Sequence, residues 1–138
     1  MAFPLFKDAK KTLQHWSNQL NKRFKELQEE SDQYILNREV RTNSTWVDGS
    51  YIWRKVLRVE ALPNTTTLNI AHNITSAREY VYVKGVASGG GYVAGMPHAS
   101  ASAVASQIEI GINGDNVYIV TGQDLSSYSG YVFIGFVK

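Results

Sequence analysis

The sequence contains no cysteine, which excludes disulfide frameworks, cysteine-ligated zinc and thiol nucleophiles together. Proline is scarce, at three residues in 138, and only Pro4 precedes residue 49. All 11 glycines lie at Gly49 or beyond, so the residues that punctuate turns are confined to the C-terminal two-thirds. No apolar run approaches the roughly 20 residues of a membrane span, and Met1 to Phe6 lacks the apolar core of a signal peptide. These absences lead to an expectation of synthesis in the cytoplasm with no span and no leader. With 43% hydrophobic and 19% charged residues, the composition is that of a folded chain.

Two grammars divide the sequence near Asn43, and domains of 1–42 and 43–138 are expected. From Asp8 to about Asn37, strong helix formers dominate and apolar residues recur at threes and fours. Leu13, Leu20, Leu27 and Tyr34 are spaced by sevens, with Trp16 and Phe24 between them shifting the register once. The six residues form an expected trimer seam on a coiled-coil-like helix reaching roughly 40 Å at about 1.5 Å per residue. The alternative is one amphipathic helix packed on its own β domain.

Residues 1 to 41 carry eight basic and six acidic groups, so the net charge of +2 resides wholly there. Lys7, Lys10 and Lys11 stand near the helix N-terminus, against the dipole. Together with Phe3 and Phe6 they are expected to attach the chain to a partner, the alternative being a solvated face.

Beyond Trp46 the period becomes two. Tyr51 to Val59, Thr66 to Ala71, Glu79 to Val86, Gln107 to Asn113, Asn116 to Thr121 and Tyr131 to Val137 read as strands of an all-β antiparallel sandwich or barrel. Asn113-Gly114-Asp115-Asn116 marks a hairpin. Gly89-Gly90-Gly91 reads as a loop tip, and Gly91 to Ser106 as a loop able to carry specificity.

Chemistry is sparsely provided. Six acidic residues of the β half, Asp48, Glu60, Glu79, Glu109, Asp115 and Asp124, are scattered with no glycosidase pairing signal. His15, His72 and His98 lack metal-ligand spacing, so no metal and no cofactor are expected. Loop aromatics and polar groups, Tyr92, His98 and Tyr128, are the candidate ligand contacts, because rings with polar handles stack on sugars and hydrogen-bond them. Charge in the β half is balanced, so nucleic acid is not an expected partner.

Four stretches carry a family resemblance: Trp46 to Val56 (WVDGSYIWRKV), Ala61 to Thr67 (ALPNTTT), Ile70 to Ile74 (IAHNI), and Val117 to Ser126 (VYIVTGQDLS) with the close Ser129 to Lys138 (SGYVFIGFVK). Residues 46 to 138 resemble a module at the C-terminal ends of phage tail-fibre, head-fibre and baseplate proteins. Asn73 and Val137 depart from its pattern, which has glycine after the histidine and ends in aromatic-Thr-Lys. The resemblance implies a virion-exposed, non-catalytic β domain behind a trimeric coiled coil. It implies a homotrimeric fibre, made in the bacterial cytoplasm and displayed on head or tail beside other virion proteins, adhering to a host-surface glycan. Capsid decoration without a receptor role is the alternative, and a polysaccharide-degrading appendage is a further one.

Overall fold

The computed structural model describes the backbone of residues 4–138 and the side chains of residues 10–26 and 33–138. The chain divides into two units, Met1–Gln33 and Tyr34–Lys138. The first is a single helix, α1 (Pro4–Asp32), with no acidic residue in its first turn and no basic residue in its last. Its stripe is open: Leu13, Trp16, Leu20 and Phe24 are 58 to 72% exposed. No helix of the described residues is long and apolar enough to cross a membrane.

The expected fold class, a coiled-coil-like stalk bearing an all-β sandwich or barrel in a trimeric fibre, is corrected by this arrangement. No long stalk is described: the helical side chains described run only from Lys10 to Glu26, and the remainder of the described chain is mostly antiparallel β structure. The heptad itself fails at its end, because α1 stops at Asp32 and Tyr34 belongs to the second unit. There the Tyr34 ring meets Phe133 edge-on at 5.4 Å, and the Arg54 guanidinium lies 4.1 Å from its centroid. The Leu27 side chain lies outside the described residues.

The second unit is antiparallel β throughout its named strands. In chain order these are β1 (Val40–Thr45), β2 (Tyr51–Val59), β3 (Thr67–Ala71), β4 (Glu79–Gly89), β5 (Tyr92–Met96), β6 (Ile108–Asn113), β7 (Asn116–Thr121) and β8 (Ser129–Val137). Five strands form one sheet in the order β1-β2-β8-β4-β5, and three form another in the order β3-β7-β6. Leu57 and Val59 of β2, Val132, Ile134 and Phe136 of β8, and Val117 and Ile119 of β7 share one buried cluster. The two sheets thus supply a common core, with alternate residues turned outward as the period of two demands.

β8 is the middle strand of the larger sheet, hydrogen-bonded to β2 and β4. Both its faces are apolar because Val132, Ile134 and Phe136 enter the core while Phe133 on the other face packs against Tyr34. In the β6–β7 hairpin, Asn113 pairs with Asn116, and of the turn residues between them Gly114 takes φ +58°, as a type II′ turn requires.

Two strands escape the sequence pattern. β5 occupies part of the expected loop: Gly90 (φ +57°) and Gly91 (φ +83°) make a two-residue turn that folds Tyr92 back beside Gly89. β1 pairs with β2 despite its polar sequence, Val-Arg-Thr-Asn-Ser-Thr.

His72 bolts the smaller sheet together just after β3. It is 1% exposed; its Nδ1 accepts from the Ile74 N–H at 3.0 Å and its Nε2 donates to the Gly114 carbonyl at 2.8 Å. The next residue, Asn73, sits at φ +53°, a conformation that glycine and asparagine reach at low cost.

Candidate functional site

The three loop residues singled out from sequence, Tyr92, His98 and Tyr128, line one groove of about 320 Å³. Thirty-six positions separate the first from the last, and three different segments deliver them. Tyr92 opens β5 directly after the glycine turn and is 73% exposed. His98 is held by a reciprocal pair of backbone bonds, its N–H to the Ile108 carbonyl at 2.9 Å and the Ile108 N–H to its own carbonyl at 3.0 Å. Tyr128 lies half-buried against the core, its N–H donating to the Leu125 carbonyl at 2.8 Å and its carbonyl accepting from Leu62 at 2.9 Å.

Close approach explains how Tyr128 reaches β4. A Cβ on Gly89 would stand 2.8 Å from the Tyr128 ring and 3.1 Å from its Cα, so only glycine lets the ring rest there. Val93, which also lines the groove, is as exposed as Tyr92 and adds an apolar side chain to it.

Its floor is pinned by the loop after β7. Leu125 donates to the Pro63 carbonyl at 3.2 Å, Thr121 Oγ1 donates to the same carbonyl at 2.8 Å, and Thr65 donates to the Gln123 carbonyl at 3.2 Å. Ser126 closes the turn by donating from its N–H (2.9 Å) and Oγ (2.6 Å) to Asp124 Oδ1. Those bonds hold the Asp124 carboxyl below its usual range. A wall built this way is preorganised, so a ligand ordering itself there would meet few loops still to be fixed.

Polar handles come from His98, Ser106 and Gln123, and no Asp, Glu, Lys or Arg belongs to the lining. Such a groove can stack a ring and exchange hydrogen bonds with hydroxyls. It presents no pair of carboxylates for glycosidic hydrolysis. Elsewhere Asp48 is paired with Arg78 at 2.6 Å and Glu60 with Arg58 at 3.3 Å. Among the described residues, no cluster of three or more His, Asp or Glu side chains could hold a metal ion.

Val93, Ser106 and Gln123 were not singled out from sequence. Gln123 had a usable signal, standing in the turn-forming Gly122-Gln123-Asp124 segment. Val93 and Ser106 lie within the Gly91 to Ser106 stretch expected to carry specificity, but nothing in that stretch distinguished them individually.

The remaining expected residues do not join this groove. Leu13, Trp16, Leu20, Phe24, Lys10 and Lys11 are exposed on α1. Phe3 and the side chains of Phe6 and Lys7, expected in attachment, lie outside the described residues. Tyr34 helps line a second, largely apolar hollow of about 400 Å³ with Leu36, Val56, Tyr131 and Phe133. Arg58 caps that face, donating to the Tyr131 hydroxyl at 2.8 Å. No family model, curated protein or solved structure matches the chain.

Proposed function

We propose that this chain is a non-catalytic surface protein of a bacteriophage particle, on head or tail, whose β unit adheres to a host-surface glycan through the Tyr92–His98–Tyr128 groove. The convergence of those three residues in one preformed groove carries the binding part of the reading. The virion part rests on the likeness of residues 46 to 138 to phage surface modules. On this reading the chain is made in the bacterial cytoplasm, has other virion proteins and a saccharide as partners, and uses no cofactor and no nucleic acid. Each groove supplies a few stacking and hydroxyl contacts, a weak site by itself, and many copies on one particle convert weak sites into firm attachment.

The test joins location to binding. Cryo-electron microscopy of the intact particle is expected to place the chain on its surface. A bacterial-polysaccharide array is expected to capture the purified protein and to lose it on Tyr92→Ala without a change in melting temperature, since an exposed ring contributes little to stability. Absence of the chain from particles would overturn the virion reading. Failure of every glycan to bind, together with normal adsorption of particles lacking the protein, would reduce it to decoration.

A further inference from the structure

The outer face of the smaller sheet holds an arrangement that the groove does not use. Val117 and Ile119 are fully buried in the core, so Tyr118 between them turns to the opposite face. Register places Asn69, Tyr118 and Gly111 in one row across β3, β7 and β6. A Cβ on Gly111 would fall 2.5 Å from the Tyr118 Cζ and hydroxyl, so the ring covers the glycine and lies over the sheet.

Around it is a hollow of about 580 Å³ whose lining includes Thr67, Asn69 and Asn113. The Tyr118 hydroxyl donates a long hydrogen bond of 3.4 Å to Glu109 Oε1. No Lys or Arg occurs in β3, β6, β7 or the hairpin turn.

From this juxtaposition we propose that the Tyr118 platform is a second saccharide site, selective for neutral pyranosides. The ring offers an apolar surface to axial C–H groups, while the Asn69 and Asn113 amides and the Thr67 hydroxyl meet equatorial hydroxyls. The Glu109 carboxylate accepts a hydrogen bond from a hydroxyl, and with Asp115 in the adjoining turn it repels uronic or sialic acids. A glycine covered by a tyrosine also occurs as a purely structural device in sheets. What exceeds that device is an open hollow beside the ring in which the polar groups of Thr67, Asn69 and Asn113 stand with the apolar Ile112 and Val120. The choice of ligand class rests on the glycan-binding reading above, whereas the geometry is separate from the Tyr92 groove.

Two-dimensional NMR of the full chain, titrated with a panel of neutral glucosides, galactosides and N-acetylhexosaminides at millimolar concentration, tests the proposal. Shifts are expected at Asn69, Asn113 and Tyr118, retained in Tyr118→Phe and weakened about three- to tenfold in Asn69→Ala and Tyr118→Ala. Asn69 is exposed, so its variant keeps the fold if Tyr118→Ala does not. Shifts confined to Tyr92, His98 and Tyr128 would overturn the second site and leave the groove standing. Shifts confined to the platform would overturn the groove and leave the second site. No shift at the platform with any sugar, or a response unchanged in Asn69→Ala and Tyr118→Ala, overturns the proposal.

Discussion

Replacing His72 by alanine tests whether one buried ring holds the smaller sheet to its hairpin. The Ile74 N–H would lose its acceptor in a buried setting, a cost of about 1–3 kcal/mol. The Gly114 carbonyl would lose its donor; that turn is exposed and water can replace it, so about 0.5–1 kcal/mol goes with it. Edge-on contact with Tyr80, at 5.6 Å between centroids, adds roughly 0.5–1 kcal/mol. The expected total is about 2–5 kcal/mol, a large part of the roughly 5–15 kcal/mol that stabilises a domain.

His72→Asn separates the contributions. Its Oδ1 can still accept from Ile74 two residues on, while the bond to Gly114 and the ring contact disappear, leaving a loss of about 1–2 kcal/mol. Urea titrations of the full chain, followed by near-ultraviolet circular dichroism, should rank wild type above Asn above Ala with a constant slope. An alanine variant within about 1 kcal/mol of wild type, or an asparagine variant no better than alanine, would refute the reasoning.

Three further predictions follow from the same geometry. Asp48 is pulled from 3.8 to about 2 by hydrogen bonds from the Arg78 guanidinium and from Ser50. A depressed folded pKa stabilises above the ordinary value and stops doing so as pH falls through the folded one. The urea midpoint gap between wild type and Asp48→Asn should therefore hold from pH 5 upward and close between about pH 4 and 2; a gap independent of pH would dismiss the pair. In the larger sheet, Gly130→Ala would push a methyl to 2.1 Å from the Val86 carbonyl oxygen, backbone that cannot swing aside, whereas Gly95→Ala meets nothing within 4 Å. Thermal melts should show a loss of about 3 kcal/mol or more for the first and under about 0.5 for the second; equal melting temperatures would contradict the packing of β8 on β4. Gly89→Ala displaces the Tyr128 ring from the groove wall, so glycan capture should fall while Tyr92→Phe, which keeps the ring, retains it; capture unchanged in Gly89→Ala would remove Tyr128 from the site.

Much of the β unit is legible in the sequence because alternation is a local code. The edges of β2 and β7, the hairpin at Gly114 and the doubly apolar β8 follow from residues within a few positions of one another. β1 and β5 were not legible, since Val40–Thr45 is polar and Tyr92–Met96 is half small residues. Each is a strand because a neighbour's unpaired edge accepts it, and edge pairing is a property of the partner.

The helix shows the opposite failure. Spacing by sevens in Leu13, Leu20, Leu27 and Tyr34 is genuine, yet periodicity states only that a face is apolar and not what lies upon it. Helix termination at Asp32 and the capture of Tyr34 by Arg54 and Phe133 are tertiary decisions.

The sequence by itself determined which residue types could bind: tyrosines, a histidine and amides in loops and turns, with few charges and no thiol. Only the tertiary structure decided which of them meet. Tyr92, His98 and Tyr128 share a groove because the Gly90-Gly91 turn, the His98–Ile108 pairing and the loop after β7 end at one place. Tyr118 becomes a platform because strand register sets it across from Gly111. Both depend on contacts between residues distant in the chain, which hydrogen-bond register fixes and local sequence does not encode.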